Sequence, residues 1–131
     1  SKIPVMMNYI ISKDGNLTIE VETNINPLLP VIPRIGLTTQ IPSSFSTVKW
    51  YGRGPHESYS DRRLGAFIGL YSKSVDELYF PYIKPQENGN RTDTRWMLIT
   101  DSNNRGILIQ SNKLFYHLHD LWKHLLKIQN Y

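Results

Sequence analysis

The 131-residue sequence has no cysteine, no long apolar run and no long run of like charge. The lack of cysteine excludes disulfides and cysteine nucleophiles but leaves the cellular compartment open. No apolar run approaches the roughly 18 residues of a membrane-spanning helix, so we expect no membrane partner. Basic residues occur singly or in pairs, so the net charge of +4 indicates a mildly basic solvated surface, and we expect no nucleic-acid partner.

The composition is typical of one globular domain covering residues 1–131. Hydrophobic residues make up 40% of the chain and charged residues 20%, which are ordinary values for a soluble domain. A chain of this length can bury roughly two thirds of its unfolded surface. The first five residues do not resemble a signal peptide. Composition therefore points to an ordinary folded domain and assigns no activity.

Alternating apolar and polar residues predict β-strands through most of the chain. Residues 7–23 and 95–110 each predict a hairpin, because turn-forming residues separate two apolar segments. Residues 34–41 also alternate, and residues 47–51 predict a short strand. The three prolines of residues 26–33 exclude a central strand there and favour an extended crossover.

Helical patterns are confined to two places. Residues 76–79 predict a helical turn ahead of Pro81. In the tail, apolar residues recur at intervals of three and four from Leu114 to Ile128, which predicts an amphipathic C-terminal helix. The chain is therefore expected to be all-β and antiparallel, with a possible helix at its C-terminus.

Two loop-like blocks are the best candidates for function. The first block (residues 50–62) and the second block (residues 81–96) both combine aromatic residues, turn formers and opposite charges. Such loops commonly hold a shaped polar surface in place. The candidate site residues in these blocks are Trp50, His56, Glu57, Tyr59, Asp61, Arg62, Tyr82, Glu87, Asn88 and Arg91.

The acids of the two blocks are interpreted as structural. Glycoside hydrolysis needs two carboxyl groups roughly 5–9 Å apart, and Glu57 with Glu87 is the pair that could be considered. Each has arginines close in sequence, and ion pairing would keep both acids ionised and structural. We therefore expect no catalytic residue in this chain, and predict that Arg62 or Arg91 pairs with Glu57 or Glu87.

Other chemical patterns are weaker. His56 lacks a nucleophile motif and is interpreted as a hydrogen-bonded loop histidine. Gly52 and Gly54 lack the third glycine of a phosphate-binding loop and are expected to give the backbone room to turn. His117, Asp120 and His124 share one face of the predicted tail helix, where a solvated face is a better interpretation than a metal site.

The aromatic residues leave two functions open. Flat rings beside arginine and asparagine donors suit sugar recognition, but the same residues would also form a core or an interface. An open groove would favour a stand-alone carbohydrate-binding or interaction module, whereas burial would favour a scaffold. The rings whose exposure discriminates between these two interpretations are Trp50, Tyr59, Tyr82 and Trp96.

The two blocks resemble motifs of the small-chain, C-terminal domain of bacterial β-galactosidases in glycoside hydrolase family 2. The first motif is similar to Trp50, Gly52, Gly54, Pro55, Glu57, Tyr59, Asp61 and Arg62. The second is similar to residues 78–91, followed by Thr94 and Arg95. The likeness extends over about residues 8–110, and the order and spacing of the motifs match.

This resemblance implies an antiparallel β-sandwich of the supersandwich, galactose-mutarotase-like kind. It implies a portion of an oligomeric enzyme that hydrolyses terminal β-galactosides, in the bacterial cytoplasm or periplasm. The catalytic glutamates and the bound Mg and Na ions would lie in another domain, so no cofactor is expected in this chain. Its partners would be the remaining domains, a second copy and, indirectly, the galactoside.

The resemblance is incomplete in two respects. The family domain is longer, so the chain resembles a truncated middle portion. In addition, Trp122 does not match by context the tryptophan that reaches the sugar site in that family, so a direct sugar contact is not expected.

Overall fold

The structure is a computed structural model that describes residues 3–30, 36–84, 86, 88–111 and 123–130. In the described part, all seven strands are antiparallel to their neighbours and one short 3-10 turn covers Asp76–Leu78. The strands are β1 Val5–Ile11, β2 Leu17–Thr23, β3 Thr47–Gly54, β4 Phe67–Ser74, β5 Trp96–Thr100, β6 Gly106–Ser111 and β7 Lys123–Asn130. The all-β antiparallel class predicted from the sequence is confirmed and is consistent with a β-sandwich.

The strands hydrogen-bond in the order β1-β2-β7-β6-β5-β3-β4. Two sequence-adjacent pairs, β1 with β2 and β5 with β6, are the two predicted hairpins. In the first turn Gly15 has a φ of 82°, and in the second Asn104 has a φ of 61°. Both are conformations that these residue types adopt more readily than others, which explains why the turn residues were informative.

A small hydrophobic core lies against strands β3 and β5. Val48 and Trp50 of β3 and Ile99 of β5 are buried, because Val48 stands opposite Ile99 in the register and Trp50 stands opposite Met97. Partly buried residues pack around them: Ile41, Phe45, Tyr71, Leu78, Met97 and Ile109. This core supports strand β3, which leads directly into the first block.

Two secondary-structure predictions are wrong in the described residues. Residues 36–41 form no strand, although the pattern alternates. Residues 123–130 form strand β7, and not part of a helix over 114–128. Strand β7 lies between β2 and β6 and pairs with both, so hydrogen bonds to two neighbouring strands outweigh the local helical period. Residues 112–122, including His117, Asp120 and Trp122, lie outside the described residues.

The predicted turn near residue 76 is confirmed by the 3-10 turn, which the Glu77 carboxylate stabilises by accepting a 2.8 Å hydrogen bond from the Ser74 backbone N–H. Within the described ranges, no helix is long and apolar enough to cross a membrane.

Candidate functional site

The two blocks lie side by side at the end of strand β3. Trp50 is only 2% exposed, and its indole Nε1 donates a 2.9 Å hydrogen bond to the Arg53 carbonyl. Its ring centroid is 5.4 Å from that of Tyr71, and the guanidinium carbon of Arg91 lies 5.3 Å from its centroid. Trp50 therefore joins the core below it to an arginine of the second block above it.

A β-bulge attaches the second block to strand β3. The Arg53 N–H donates to the Thr92 carbonyl at 3.2 Å, and the Arg95 N–H donates to the Tyr51 carbonyl at 2.8 Å. Asp93 and Thr94 therefore stand together opposite the single residue Gly52, and Asp93 has a φ of 54°. Such a bulge bends the strand and redirects its side chains.

Gly52 permits this bulge because it has no side chain. A Cβ at this position would lie 2.7 Å from the Thr94 Cα and 2.8 Å from its Oγ1. The expectation that Gly52 and Gly54 serve a backbone turn is wrong, since strand β3 continues through Gly54. These glycines instead make room, at Gly52 for the bulge and at Gly54 for the rings of Tyr71 and Trp50.

An ion pair with a buried carboxylate holds the bulge. The Asp93 carboxylate accepts from Nε of Arg53, and the Arg53 Nη1 donates to the Ala66 carbonyl at 2.9 Å. The Asp93 side chain is 5% exposed, and its Oδ1 is buried with no hydrogen-bond partner among the described residues. The bulge therefore contains a carboxylate whose loss of hydration is only partly compensated.

Hydrogen bonds join the middles of the two blocks. The Ser58 N–H donates to the Asn90 carbonyl at 2.8 Å, and the Asn90 Nδ2 donates back to the Ser58 carbonyl at 2.8 Å. The Ser58 hydroxyl, which is fully buried, accepts from the Thr92 N–H at 3.0 Å and lies 3.0 Å from its Oγ1. The blocks therefore form one structural unit.

The Glu57 carboxylate occupies the centre of this unit. Its Oε1 accepts hydrogen bonds from Arg62 and from the Tyr82 hydroxyl, and its Oε2 accepts from the Gly89 N–H at 2.8 Å. The Arg62 Nη2 also donates to the Tyr82 oxygen at 2.9 Å. The predicted ion pair is thus present as Arg62 with Glu57. We call Glu57, Arg62, Tyr82 and Gly89 the Glu57 clamp.

Arg91 fastens the second block from the other side. Its Nη1 donates to the Gly89 carbonyl at 2.7 Å, and its Nη2 donates to the Pro55 carbonyl at 3.2 Å. Burial lowers the pKa of the Arg91 guanidinium from its ordinary value, and the negative charge of Glu57 offsets part of that change. Stacking over Trp50 adds a cation–π contact at this half-buried position.

The other predicted site residues take minor parts in this geometry. Asn88 accepts a long 3.4 Å hydrogen bond from the Phe80 N–H. Tyr59 is half-buried, with the Arg62 guanidinium 5.5 Å from its ring centroid. His56 and Asp61 are exposed. Glu87 lies outside the described residues.

Sequence reasoning missed four residues of the unit: Arg53, Ser58, Thr92 and Asp93. One signal could have found the bulge, since an isolated glycine such as Gly52 within a strand pattern often marks a bulge or a close backbone approach. No local signal pairs Arg53 with a residue forty positions away.

The described residues of this unit do not supply a set of metal ligands. Among the residues that the structure describes, no group of three or more histidine, cysteine, aspartate or glutamate side chains could hold a metal ion. The acids that come closest to the centre, Glu57 and Asp93, are each paired with an arginine. The arrangement binds its own loops together.

Comparisons with known proteins agree on one family. Residues 1–129 match the family described as the beta galactosidase small chain. The chain is 43% identical over 104 residues to a β-galactosidase of Priestia megaterium, which covers 79% of the chain and 10% of that protein. It is 46% identical over 91 residues to a β-galactosidase of Vibrio cholerae, covering 70% of the chain and 9% of that protein.

A β-galactosidase of Streptococcus thermophilus is 34% identical over 116 residues, which is 88% of the chain and 11% of that protein. The chain therefore spans about a tenth of the length of the curated relatives it matches.

Proposed function

The chain belongs to the family of the β-galactosidase small chain, and from this we propose that it is a non-catalytic portion of an enzyme that hydrolyses terminal β-D-galactosides. Its role is to buttress the catalytic barrel and to shape the rim of the galactoside site. The reacting glutamates come from another domain, and the galactoside is a partner only indirectly. We also propose that the complete domain is a supersandwich.

The saturated carboxylate of Glu57 carries this proposal. A glycosidase acid or nucleophile must present a free oxygen to the sugar, with a second carboxyl group across the ring. Glu57 instead accepts from Arg62, Tyr82 and the Gly89 N–H, and its side chain is only 10% exposed. A carboxylate held in this way is suited to fixing loops and not to proton transfer.

The burial and hydrogen bonding of the aromatic rings favour a scaffold role and argue against a sugar-binding groove. Trp50, the largest ring of the first block, is buried and its N–H is already bonded. The Tyr82 hydroxyl is engaged by the Glu57 clamp, and Tyr59 and Trp96 are half-buried. A lectin-like groove requires open rings with free polar edges.

The location of the ions that the resemblance implies is also a proposal. Glu57 and Asp93 each pair with an arginine, which would repel a cation from the same oxygens. We propose that Mg and Na bind in another domain of the enzyme.

Kinetics of the full-length β-galactosidase test the scaffold role. We expect Glu57→Gln to leave kcat within about threefold of the unsubstituted enzyme, because no transition-state contact is lost. We expect the same substitution to reduce stability by about 1–3 kcal/mol, since three hydrogen-bond donors lose a charged acceptor. Rates with a chromogenic β-galactoside and thermal unfolding measure the two effects.

The matched control is Glu22→Gln, at an exposed position of strand β2, which should change neither kcat nor stability. A fall in kcat of about a thousandfold for Glu57→Gln in a folded enzyme would contradict the proposal, because losses of that size indicate a direct part in the reaction.

A further inference from the structure

Four large apolar side chains project into solvent from the second block and from the segments next to the two blocks. Leu64 is 92% exposed, Tyr79 67%, Phe80 54% and Ile83 104%. We call these four residues the loop-tip surface. Single exposed apolar residues are ordinary, but several on neighbouring loops commonly mark an interaction site.

The Glu57 clamp brings the two halves of this surface together. Arg62, two residues before Leu64, donates to the Tyr82 hydroxyl oxygen at 2.9 Å. Tyr82 lies directly before Ile83, and its ring centroid is 4.6 Å from that of Phe80. The turn that carries Leu64 is therefore tied to the segment that carries Phe80 and Ile83.

The protein interior also holds the turn that carries Leu64. The Arg53 Nη1 donates to the Arg63 carbonyl at 3.3 Å, and the Ala66 N–H donates to the same carbonyl at 3.1 Å. Arg53 is in turn fixed by the buried carboxylate of Asp93. Leu64 therefore projects from a turn whose backbone is anchored on both sides.

Anchored loops with apolar tips are suited to docking. The conformational entropy of the loops is lost during folding, so little more is lost when the tips are buried against another surface. Burying apolar area at such tips then stabilises the interface. The polar network beneath the tips would therefore serve to fix the loops for docking, a role that does not involve sugar chemistry.

We propose that the loop-tip surface docks on an apolar face of another domain of the same β-galactosidase polypeptide. This inference rests on the proposed function for its partner. Another domain is the proposed docking partner because the chain spans about a tenth of the length of its relatives. Most of such a polypeptide would therefore be available for contact with the loop-tip surface. A covalently linked partner is also present at high effective concentration, which favours it over a free protein.

Thiol labelling of the native full-length enzyme tests this docking. Ile83→Cys and Leu28→Cys are compared, because Leu28 is 88% exposed and lies outside the loop-tip surface. Labelling with a maleimide, followed by peptide mapping, gives the rate at each position despite other cysteines in the enzyme. Each rate is divided by the rate in denaturant.

We expect the normalised rate for Ile83→Cys to be at least about tenfold lower than that for Leu28→Cys, since a docked residue is labelled only after local opening. Equal rates would overturn the proposal. Protection of Ile83→Cys that disappears when an oligomer dissociates on dilution would also overturn it, and would identify a second copy as the occupant.

Thermal unfolding provides a second readout. Ile83→Asp should lower the Tm of the full-length enzyme and Leu28→Asp should not, because the fully exposed Ile83 side chain contributes little within this chain. Equal Tm values for the two variants would contradict docking. Neither measurement depends on activity. The docking proposal can therefore be contradicted while the kinetics of Glu57→Gln still support the scaffold role.

Discussion

Gly52 shows how a single residue can determine the arrangement of the site. The absence of a side chain allows the backbone of Asp93 and Thr94 to lie close to strand β3. The bulge in turn positions Asp93 for Arg53 and Thr92 for Ser58. Because the obstruction at Gly52 involves the Thr94 backbone, a rotamer change cannot relieve it.

We predict that Gly52→Ala destabilises the chain by about 1–3 kcal/mol, through overpacking against Thr94. The control is Gly36→Ala, because nothing lies within 4 Å of a Cβ built there, and it should be neutral or slightly stabilising. Urea unfolding of the two variants measures the difference. Equal stability would show that the bulge does not depend on this glycine.

At the scale of the element, the β5–β6 hairpin depends on the carboxylate in its turn. Asp101 Oδ1 accepts from the N–H groups of Asn103 and Arg105 at 2.8 and 2.9 Å, and Oδ2 accepts from Arg105 Nε at 2.9 Å. Burial raises the pKa of the Asp101 carboxyl, but the hydrogen bonds from Arg105 and Asn103 outweigh burial and leave that pKa below its ordinary value.

The direction of this pKa change sets the pH dependence. A lowered pKa means that Asp101 stabilises the hairpin fully above the pKa of the unfolded chain, about 3.9. That stabilisation is lost as the pH falls through the lower pKa of the folded state. We predict that the Tm of Asp101→Asn falls less steeply than that of the unsubstituted chain below about pH 4.

Calorimetry across this pH range checks the prediction, with Asp61→Asn, at an exposed loop position, as the control. Identical pH profiles for Asp101→Asn and the unsubstituted chain would be inconsistent with a role for this carboxylate.

At the scale of the whole molecule, the sheet formed by the described strands ends at two edges. Strands β1 and β4 are its outermost strands, and every residue of β1 is exposed. On β4, Phe67 is 74% exposed and Leu70 68%. Unpaired strand edges with apolar side chains favour pairing with another chain.

We therefore predict that the 131-residue chain self-associates, and that Leu70→Lys shifts it towards monomer because a charge on an edge strand opposes pairing. Sedimentation at increasing concentration measures the association. Leu28→Lys, at an exposed position outside the strands, should leave it unchanged. A monomer at high concentration for the unsubstituted chain would contradict the prediction.

The sequence by itself determined the hairpins, the family and the identity of the two blocks. Hairpins are encoded locally, since period-two alternation and turn residues such as Gly15 and Asn104 act over a few positions. The pairing of Glu57 with Arg62 was also accessible, because opposite charges stand five residues apart in one loop.

Only the tertiary structure decided the bulge at Gly52, the burial of Trp50 and the strand character of β7. Each depends on a partner distant in sequence: Asp93 is forty residues from Arg53, and β7 pairs with β2 as well as β6. Local patterns report what a segment prefers in isolation. The free energy of pairing and packing with distant segments is larger than that preference, and it decides the final conformation.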